Sequence, residues 1–549
     1  MEDPHDVALG SGYPAAAGQA GAPEMFRAAA DLVNPVAAAR ELPWLADELL
    51  KIAIGRSGLE FEEKDPRFRD ATWRDNPVFR RLGQGYRLYE QWTDRMARAV
   101  DGPWEHQARA RYLASIITGA LAPTNFLPTN PAALKRAFET GGQSVLRGGR
   151  NMVRDLARGG MPSMVNRKPF PVGEKLACTP GAVVYRDEIC ELLQYAPATR
   201  AVRGTPLLMV PPELNRYYVL DLASGRSMVE YATALGIQVF MIVWRNPRAE
   251  LGHGRWGIDD YLGAETRAAE IVRKITASET VNWLGLCAGG ITTALALAYL
   301  AATGDTSAGS ATFIVTMLTS DHPNIVGWMA GGGSLEALRR AAAARRVFPG
   351  PVLRTSFAWL RPNDLVFNYL VSGWLLGEDP PAFDVLAWND DATGITARLS
   401  AEVSELLVGR KAAKPGAITV LGTPIDLAKV DCDGFYVAGY TDHITPWRAC
   451  YGATQVLGGR KDMVVVKSGH IQSFVNPAKT AKYGYWDAPP SGADPDRWLP
   501  TAAEHEGSWW PRWAEWLIAR SGKQKAPPAT PGSRRYPPLG PAPGTYVHQ

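Results

Sequence analysis

The sequence predicts an α/β protein: a mostly parallel sheet with crossover helices, preceded by a helical N-terminal domain. Three observations carry this. From about Pro35 to Arg158 apolar residues fall at helical spacing; from about Pro169 short apolar runs alternate with amphipathic ones. The third is Gly285-Leu286-Cys287-Ala288-Gly289-Gly290, which joins a strand-like run, Val281 to Leu286, to a helix-like run, Ile291 to Ala302. Strand, helix and strand in repeated alternation means right-handed crossovers and parallel pairing.

Taken in order, residues 1–24 are rich in Ala, Gly and Pro and are expected to form a mobile tail. Residues 25–168 form the helical domain. Leu42, Leu45, Leu49 and Ile52 share one helical stripe, Tyr86, Tyr89 and Trp92 another, and Asn76-Pro77 and Asp101-Gly102-Pro103 punctuate the segments. Residues 169–522 form the second domain. Leu207 to Val210, Val239 to Trp244 and Val281 to Leu286 read as strands, with helices at Met228 to Leu235 and Tyr261 to Ile275; Phe435 to Ala438 and Met463 to Val466 supply later strands. Between about 322 and 422 the alternation lapses into helical and irregular sequence with Trp359, Trp374, Trp388 and several prolines, read as an insertion capping the sheet. Residues 523–549 are proline-dense and are expected to be an extended tail. No internal repeat is present.

Composition excludes several classes. With 549 residues, 46% hydrophobic and 21% charged, the chain is globular with a large core. A net charge of +4, with no Lys/Arg cluster interleaved with aromatics, argues against nucleic acid. Five cysteines (Cys178, Cys190, Cys287, Cys432, Cys450) lack the close pairs of zinc or redox motifs, and no metal is expected. They suit a reduced, cytosolic protein. The start, Met1-Glu2-Asp3, is acidic and lacks a basic, apolar leader pattern, so no signal peptide is expected, and the longest apolar run, Ala294 to Ala302, is about half the ~20 residues of a membrane span.

The Gly-x-Cys-x-Gly-Gly box has the form of a nucleophile elbow, with cysteine where serine is usual. A sharp strand-to-helix turn strains the nucleophile's backbone, and Gly285 and Gly289 remove side chains that would collide across it. The amides at the start of the following helix favour a thiolate and can donate to a developing oxyanion. Such a fold places an acid and then a histidine on loops after later strands. Asp442, beyond Val437-Ala438-Gly439, and His470, beyond Val464-Val465-Val466, meet that order in a chain with only eight histidines. We assign His470 as base and Asp442 as its orienter. His443 competes for the base role, yet adjacent residues leaving a strand point in opposite directions, which leaves it a supporting one. Together these features predict an α/β-hydrolase fold. For the oxyanion hole, Ala288 is the first backbone donor. The second must come from the loop after Val210; Pro211 and Pro212 have no N–H, which leaves Glu213, Leu214 or Asn215, with Leu214 preferred.

At these residues the chain resembles the polyhydroxyalkanoate synthases, over about Phe138 to Pro477. Besides the cysteine box, the resemblance rests on Gly141-Gly142-Gln143-Ser144, Thr179-Pro180-Gly181-Ala182-Val183-Val184, Val210-Pro211-Pro212 with Asn215-Arg216-Tyr217-Tyr218, and Trp244-Arg245-Asn246-Pro247. Pro362-Asn363-Asp364-Leu365-Val366, Trp388-Asn389, Asp442-His443-Ile444-Thr445-Pro446-Trp447 and Ser468-Gly469-His470-Ile471-Gln472-Ser473 add to it. The resemblance implies an acyltransferase that polymerises (R)-3-hydroxyacyl-CoA with release of CoA, with Cys287 as nucleophile, His470 as base and Asp442 as partner. It implies no cofactor, since coenzyme A belongs to the substrate. It further implies a homodimer that works as one kind of subunit and associates with cytoplasmic polyester granules. One departure stands out: after Trp388-Asn389 the family continues with an Arg-Leu-Pro or Arg-Met-Pro motif, whereas here Asp391-Ala392-Thr393 is followed by Gly394-Ile395-Thr396. Two other readings compete. A dienelactone-hydrolase-like enzyme would share the cysteine box and an acyl-CoA thioesterase the fold, but both leave the N-terminal domain and cap unexplained; a non-catalytic granule scaffold would have no need of Cys287, Asp442 and His470.

Overall fold

In the computed structural model, which describes residues 22–62, 65–319 and 333–549, the chain forms two compact units. The first comprises residues 22–166 together with Thr355–Phe383. Its helices are α1 (Ala22–Asp31), α2 (Pro35–Ala53), α3 (Pro77–Arg98), α4 (Trp104–Ala120), α5 (Pro131–Glu139) and α6 (Gln143–Ala157). Three of them start the same way, at Asn34-Pro35, Asn76-Pro77 and Asn130-Pro131. The asparagine side chain accepts from N–H groups of the first turn, and proline fills a position whose N–H has no helical partner. Phe68, Trp73, Tyr86 and Ala122 form a buried core with Phe61, Phe79 and Tyr89 against it. Arg67 is held there by Asp65, Glu90 and the Tyr86 hydroxyl at 2.8 to 2.9 Å. On α2 only Ile52 of the predicted stripe is buried; Leu42 and Leu49 are exposed.

The second unit carries an eleven-stranded sheet. Its strands are β1 (Gly181–Arg186), β2 (Cys190–Tyr195), β3 (Leu207–Val210), β4 (Val239–Trp244), β5 (Val281–Leu286), β6 (Ala308–Ile314), β7 (Asp433–Gly439), β8 (Lys461–Val466), β9 (Tyr485–Ala488), β10 (Ala503–His505) and β11 (Gly540–Pro541). Their order is β10-β9-β8-β7-β6-β5-β3-β4-β2-β1-β11. The six strands from β8 to β4 are parallel and those outside them antiparallel. Parallel strands sheathed on both faces are apolar throughout, and β3, β4 and β5 are buried at every position. Helices α7 (Met228–Ala234), α8 (Ile258–Thr276), α9 (Ala288–Ala302), α10 (Trp447–Val456) and α11 (Trp510–Ala519) flank the sheet. This is the α/β-hydrolase fold that the sequence predicts, with a helical region ahead of it.

The stretch 322–422, read from sequence as one cap, divides: 355–383 packs within the first unit, while 333–354 and 384–422 belong to the second. Its start lies outside the described residues, as do residues 1–21 of the predicted N-terminal tail. The proline-dense C-terminus is extended, as its composition implies, but docked. β11 pairs with β1, and Tyr546 and Val547 are buried, because the Glu191 carboxylate in β2 takes the N–H groups of Thr545 and Tyr546, each at 2.9 Å. No helix among the described residues is long and apolar enough to cross a membrane.

Candidate active site

Cys287 stands between β5 and α9 with φ 52° and ψ −114°, a left-handed conformation that costs a non-glycine residue about 1–3 kcal/mol. The turn is held by bonds from Cys287 N–H to Ile314 O at 2.8 Å and from Gly290 N–H to Cys287 O at 3.0 Å. The neighbouring glycines are required by close approach. A Cβ on Gly285 would lie 2.6 Å from Gly290 Cα, and one on Gly289 would lie 2.5 Å from the Pro211 carbonyl oxygen. That second approach brings the loop after β3 onto the nucleophile's helix.

Asp442 follows β7 and His470 follows β8, adjacent parallel strands, so both loops open at the same sheet end as the turn after β5. His470 Nδ1 lies 2.6 Å from Asp442 Oδ2, and Cys287 is near enough to the ring to act on its charge. With Nδ1 engaged, Nε2 is the ring nitrogen left for sulfur. Asp442 is fixed by three further donors: Ile444 N–H at 2.8 Å, Thr445 N–H at 3.1 Å and the Thr445 hydroxyl at 2.7 Å. Cys287, Asp442 and His470 are each only 5% exposed, so bulk water is excluded from their contacts. Burial works to raise the Asp442 carboxyl, yet the charge and hydrogen bond of His470, with Thr445 and His443, outweigh it and hold the carboxyl below its usual range. Burial likewise opposes the His470 imidazolium, but the Asp442 carboxylate overcomes this, Cys287 adds to it, and the ring is pushed up to about 10. His443 is half-buried beside Asp442. Burial pushes up the thiols of Cys178, Cys190, Cys432 and Cys450, which keeps those four protonated.

Ala288, the first residue of α9, has an N–H with no carbonyl one turn back to bond. Of the three candidates after Pro212, Asn215 N–H donates to Pro212 O at 3.4 Å.

Two supports escaped the sequence reading. Thr445 braces Asp442 and also lies 3.2 Å from His470 Nδ1; its signal was a hydroxyl three residues after the acid. The other is a tryptophan cluster on α11. The indoles of Trp509 and Trp510 donate to Ser473 O and Phe474 O, pinning the short helix that begins at His470; Trp513 and Trp516 donate to Thr312 and Asp462. The departing segment after Trp388-Asn389 is knit to the loops beyond β3 and β4. Trp388 donates to Arg216 O at 2.8 Å, Asp391 accepts from the Tyr218 hydroxyl at 2.8 Å, and Gly394 N–H donates to Asn246 at 2.8 Å. Among the described residues no group of His, Cys, Asp and Glu side chains could hold a metal ion.

A strand-turn-helix cysteine, with an acid and a histidine on the loops of the following parallel strands, defines the class as an α/β-hydrolase-fold protein, and residues 258–477 match the model of that fold family. Residues 64–232 match the model described as the poly-beta-hydroxybutyrate polymerase (PhaC) N-terminus. The chain is 42% identical over 518 residues to poly(3-hydroxyalkanoate) polymerase 2 of Ectopseudomonas oleovorans, covering 94% of this chain and 92% of that protein. To the polymerase subunit PhaC of Cupriavidus necator it is 39% identical over 497 residues, covering 88% and 83%. The chain belongs to the poly(3-hydroxyalkanoate) polymerase family.

Proposed function

We propose that the protein polymerises (R)-3-hydroxyacyl-CoA through a thioester on Cys287, with His470 as general base and acid, Asp442 as its orienter, and the N–H groups of Ala288 and Leu214 as the oxyanion hole. The observation that carries this is the buried His470–Asp442 pair at 2.6 Å together with Cys287 on its strained strand-to-helix turn, which acts on the charge of the same ring. His470, whose imidazolium Asp442 stabilises, takes the thiol proton of Cys287. The thiolate attacks the thioester carbonyl, and CoA leaves with the proton from His470. Acylation abolishes the negative charge on sulfur, so the ring loses one of the influences that raise it and can act as a base. It then takes the proton of the 3-hydroxyl of an incoming monomer, whose oxygen attacks the Cys287 thioester. The new oxoester forms as the carbon–sulfur bond breaks, and His470 is left protonated beside the regenerated thiolate. The extended chain, still bound to CoA, can acylate Cys287 again.

Exchange of one thioester for another keeps the acyl group activated, and the step to oxoester runs downhill; serine would forfeit that drive. The scheme calls for no cofactor. His443 serves by holding the charge of Asp442. The protein acts as one kind of subunit, a homodimer at the surface of its own insoluble product in the cytoplasm. The deciding experiment supplies 3-hydroxybutyryl-CoA or 3-hydroxydecanoyl-CoA and follows both released CoA and the fate of the acyl group. Polymer is expected; free acid as the main product would replace this reading with a thioesterase.

A further inference from the structure

Two carboxyl groups lie buried behind the nucleophile's turn without a cation beside them. Glu213 follows Pro212 in the loop after β3 and Glu265 lies on α8; they are 2% and 0% exposed. Glu213 Oε1 accepts from Thr292 Oγ1, one turn into α9, at 2.8 Å, while Glu213 Oε2 and both oxygens of Glu265 have no hydrogen-bond partner. The titratable groups facing Glu213 are Tyr261 and Glu265, both from α8; α9 contributes the Thr292 hydroxyl, and among the described residues no Lys, Arg or His bears on either carboxyl. An unpaired carboxylate in such surroundings is strongly disfavoured. Burial accordingly raises both acids, Glu213 to about 7 and Glu265 well above the carboxyl range, so Glu213 is the one that titrates near neutrality.

The placement ties this pair to the oxyanion hole. One donor, Ala288, starts α9; the other, Leu214, is the residue after Glu213. The loop is gripped at Pro211, whose carbonyl accepts from Trp244 Nε1 at 2.9 Å, and at Glu213, whose carboxyl accepts from Thr292 on the same helix as Ala288. We propose that Glu213 is a positioning residue of the oxyanion hole: as an uncharged acid it braces the Leu214 peptide against the nucleophile's helix through Thr292, and its ionisation disables the hole. A negative charge one residue from the second donor opposes the charge that develops on the carbonyl oxygen. This rests on the assignment of Cys287 and Leu214 above.

The test uses the full chain with Glu213→Gln, Glu213→Ala, Thr292→Val and Cys287→Ala. CoA release from 3-hydroxybutyryl-CoA is followed from about pH 6 to about pH 9, with alkylation of Cys287 by iodoacetamide as a check that the site is formed. Glu213→Ala and Thr292→Val should lose about tenfold or more in kcat with KM within about twofold, and Glu213→Gln, which can still accept from Thr292, should recover most of that loss. The native rate should fall as pH rises through about 7, and Glu213→Gln should lack that fall. Native kcat in Glu213→Ala, or an unchanged pH profile in Glu213→Gln, overturns the proposal alone when Cys287→Ala is inactive. Turnover by Cys287→Ala overturns the nucleophile assignment, and this proposal with it.

Discussion

Replacing Asp442 with asparagine tests the division of labour at the site. The Oδ1 position accepts from two peptide N–H groups, at 2.8 and 3.1 Å, so the amide oxygen must take it. The amide nitrogen then faces the Thr445 hydroxyl and His470 Nδ1, where the carboxylate oxygen stood at 2.7 and 2.6 Å. It can donate to Nδ1 only when that nitrogen is bare, which moves the ring proton to Nε2, the nitrogen left for Cys287. A ring in that tautomer cannot take a proton from the incoming hydroxyl. The same change in a serine triad lowers kcat about 10⁴-fold, or about 5.4 kcal/mol, and elongation should fall by about 10³ to 10⁴. A thiol ionises far more readily than a hydroxyl, so acylation should slow only about 10- to 100-fold. Butyryl-CoA, which lacks the hydroxyl, isolates acylation as a single burst of CoA in stopped flow, whereas 3-hydroxybutyryl-CoA reports elongation. Equal losses in the two assays would refute the reasoning.

Cys287→Ala should release no CoA, and Cys287→Ser should be nearly inactive though folded; efficient polymer synthesis by the serine variant would contradict the driving-force argument. His443→Gln should keep at least about a tenth of native activity while His470→Gln keeps none above background, and the reverse order in the same CoA assay would exchange their roles. Gly289→Ala places a Cβ 2.5 Å from the Pro211 oxygen and 2.6 Å from that of Val210, both backbone. It should destabilise the fold by about 1–3 kcal/mol and displace the oxyanion loop, read as a lower denaturant midpoint with kcat reduced more than about tenfold. The His470–Asp442 pair also predicts a stability profile. His470 is raised from 6.5 to about 10, so its contribution is full below about pH 6.5 and lost as pH rises through about 10; Asp442 is held below 3.8, so its contribution is present above that value and lost on acidification through its lowered folded value. Thermal midpoints measured against pH should show the alkaline decline in the native protein and lack it in His470→Gln.

The strands β3, β4 and β5 were legible to the residue because a strand buried on both faces is a continuous apolar run. β1 and β2 were not: β2 carries Glu191 and Gln194, fully polar yet buried, whose partners are Arg186 on β1 and the distant C-terminal segment. β6 was hidden by its small and hydroxyl-bearing start, Ala308-Gly309-Ser310-Ala311-Thr312; Ser310 bonds Asn282 on β5 and Thr312 accepts from Trp513. Helical spacing on α2 correctly marked a helix, but not which of its residues are buried, since Leu42 and Leu49 are exposed. At the site, the types and order of Cys287, Asp442 and His470 stood out because a glycine-flanked cysteine and two loop residues after apolar strands are rare combinations. Thr292 and the α11 tryptophans left no such trace, because a bracing residue is defined by what it touches and that is set by the fold.

The docked C-terminus has a consequence for how the molecule is made. Glu191 and its partner Thr545 stand 354 positions apart, so the outer edge of the sheet stays unpaired on a ribosome-bound chain until nearly all of these residues have been synthesised. A contact of such long range forms slowly, since the intervening loop must close before the bonds repay its entropy. Until then the nascent chain displays β1 as a bare strand edge beside the buried Glu191 carboxylate, which makes the interval between synthesis and closure the period when partially folded chains are most prone to associate with one another.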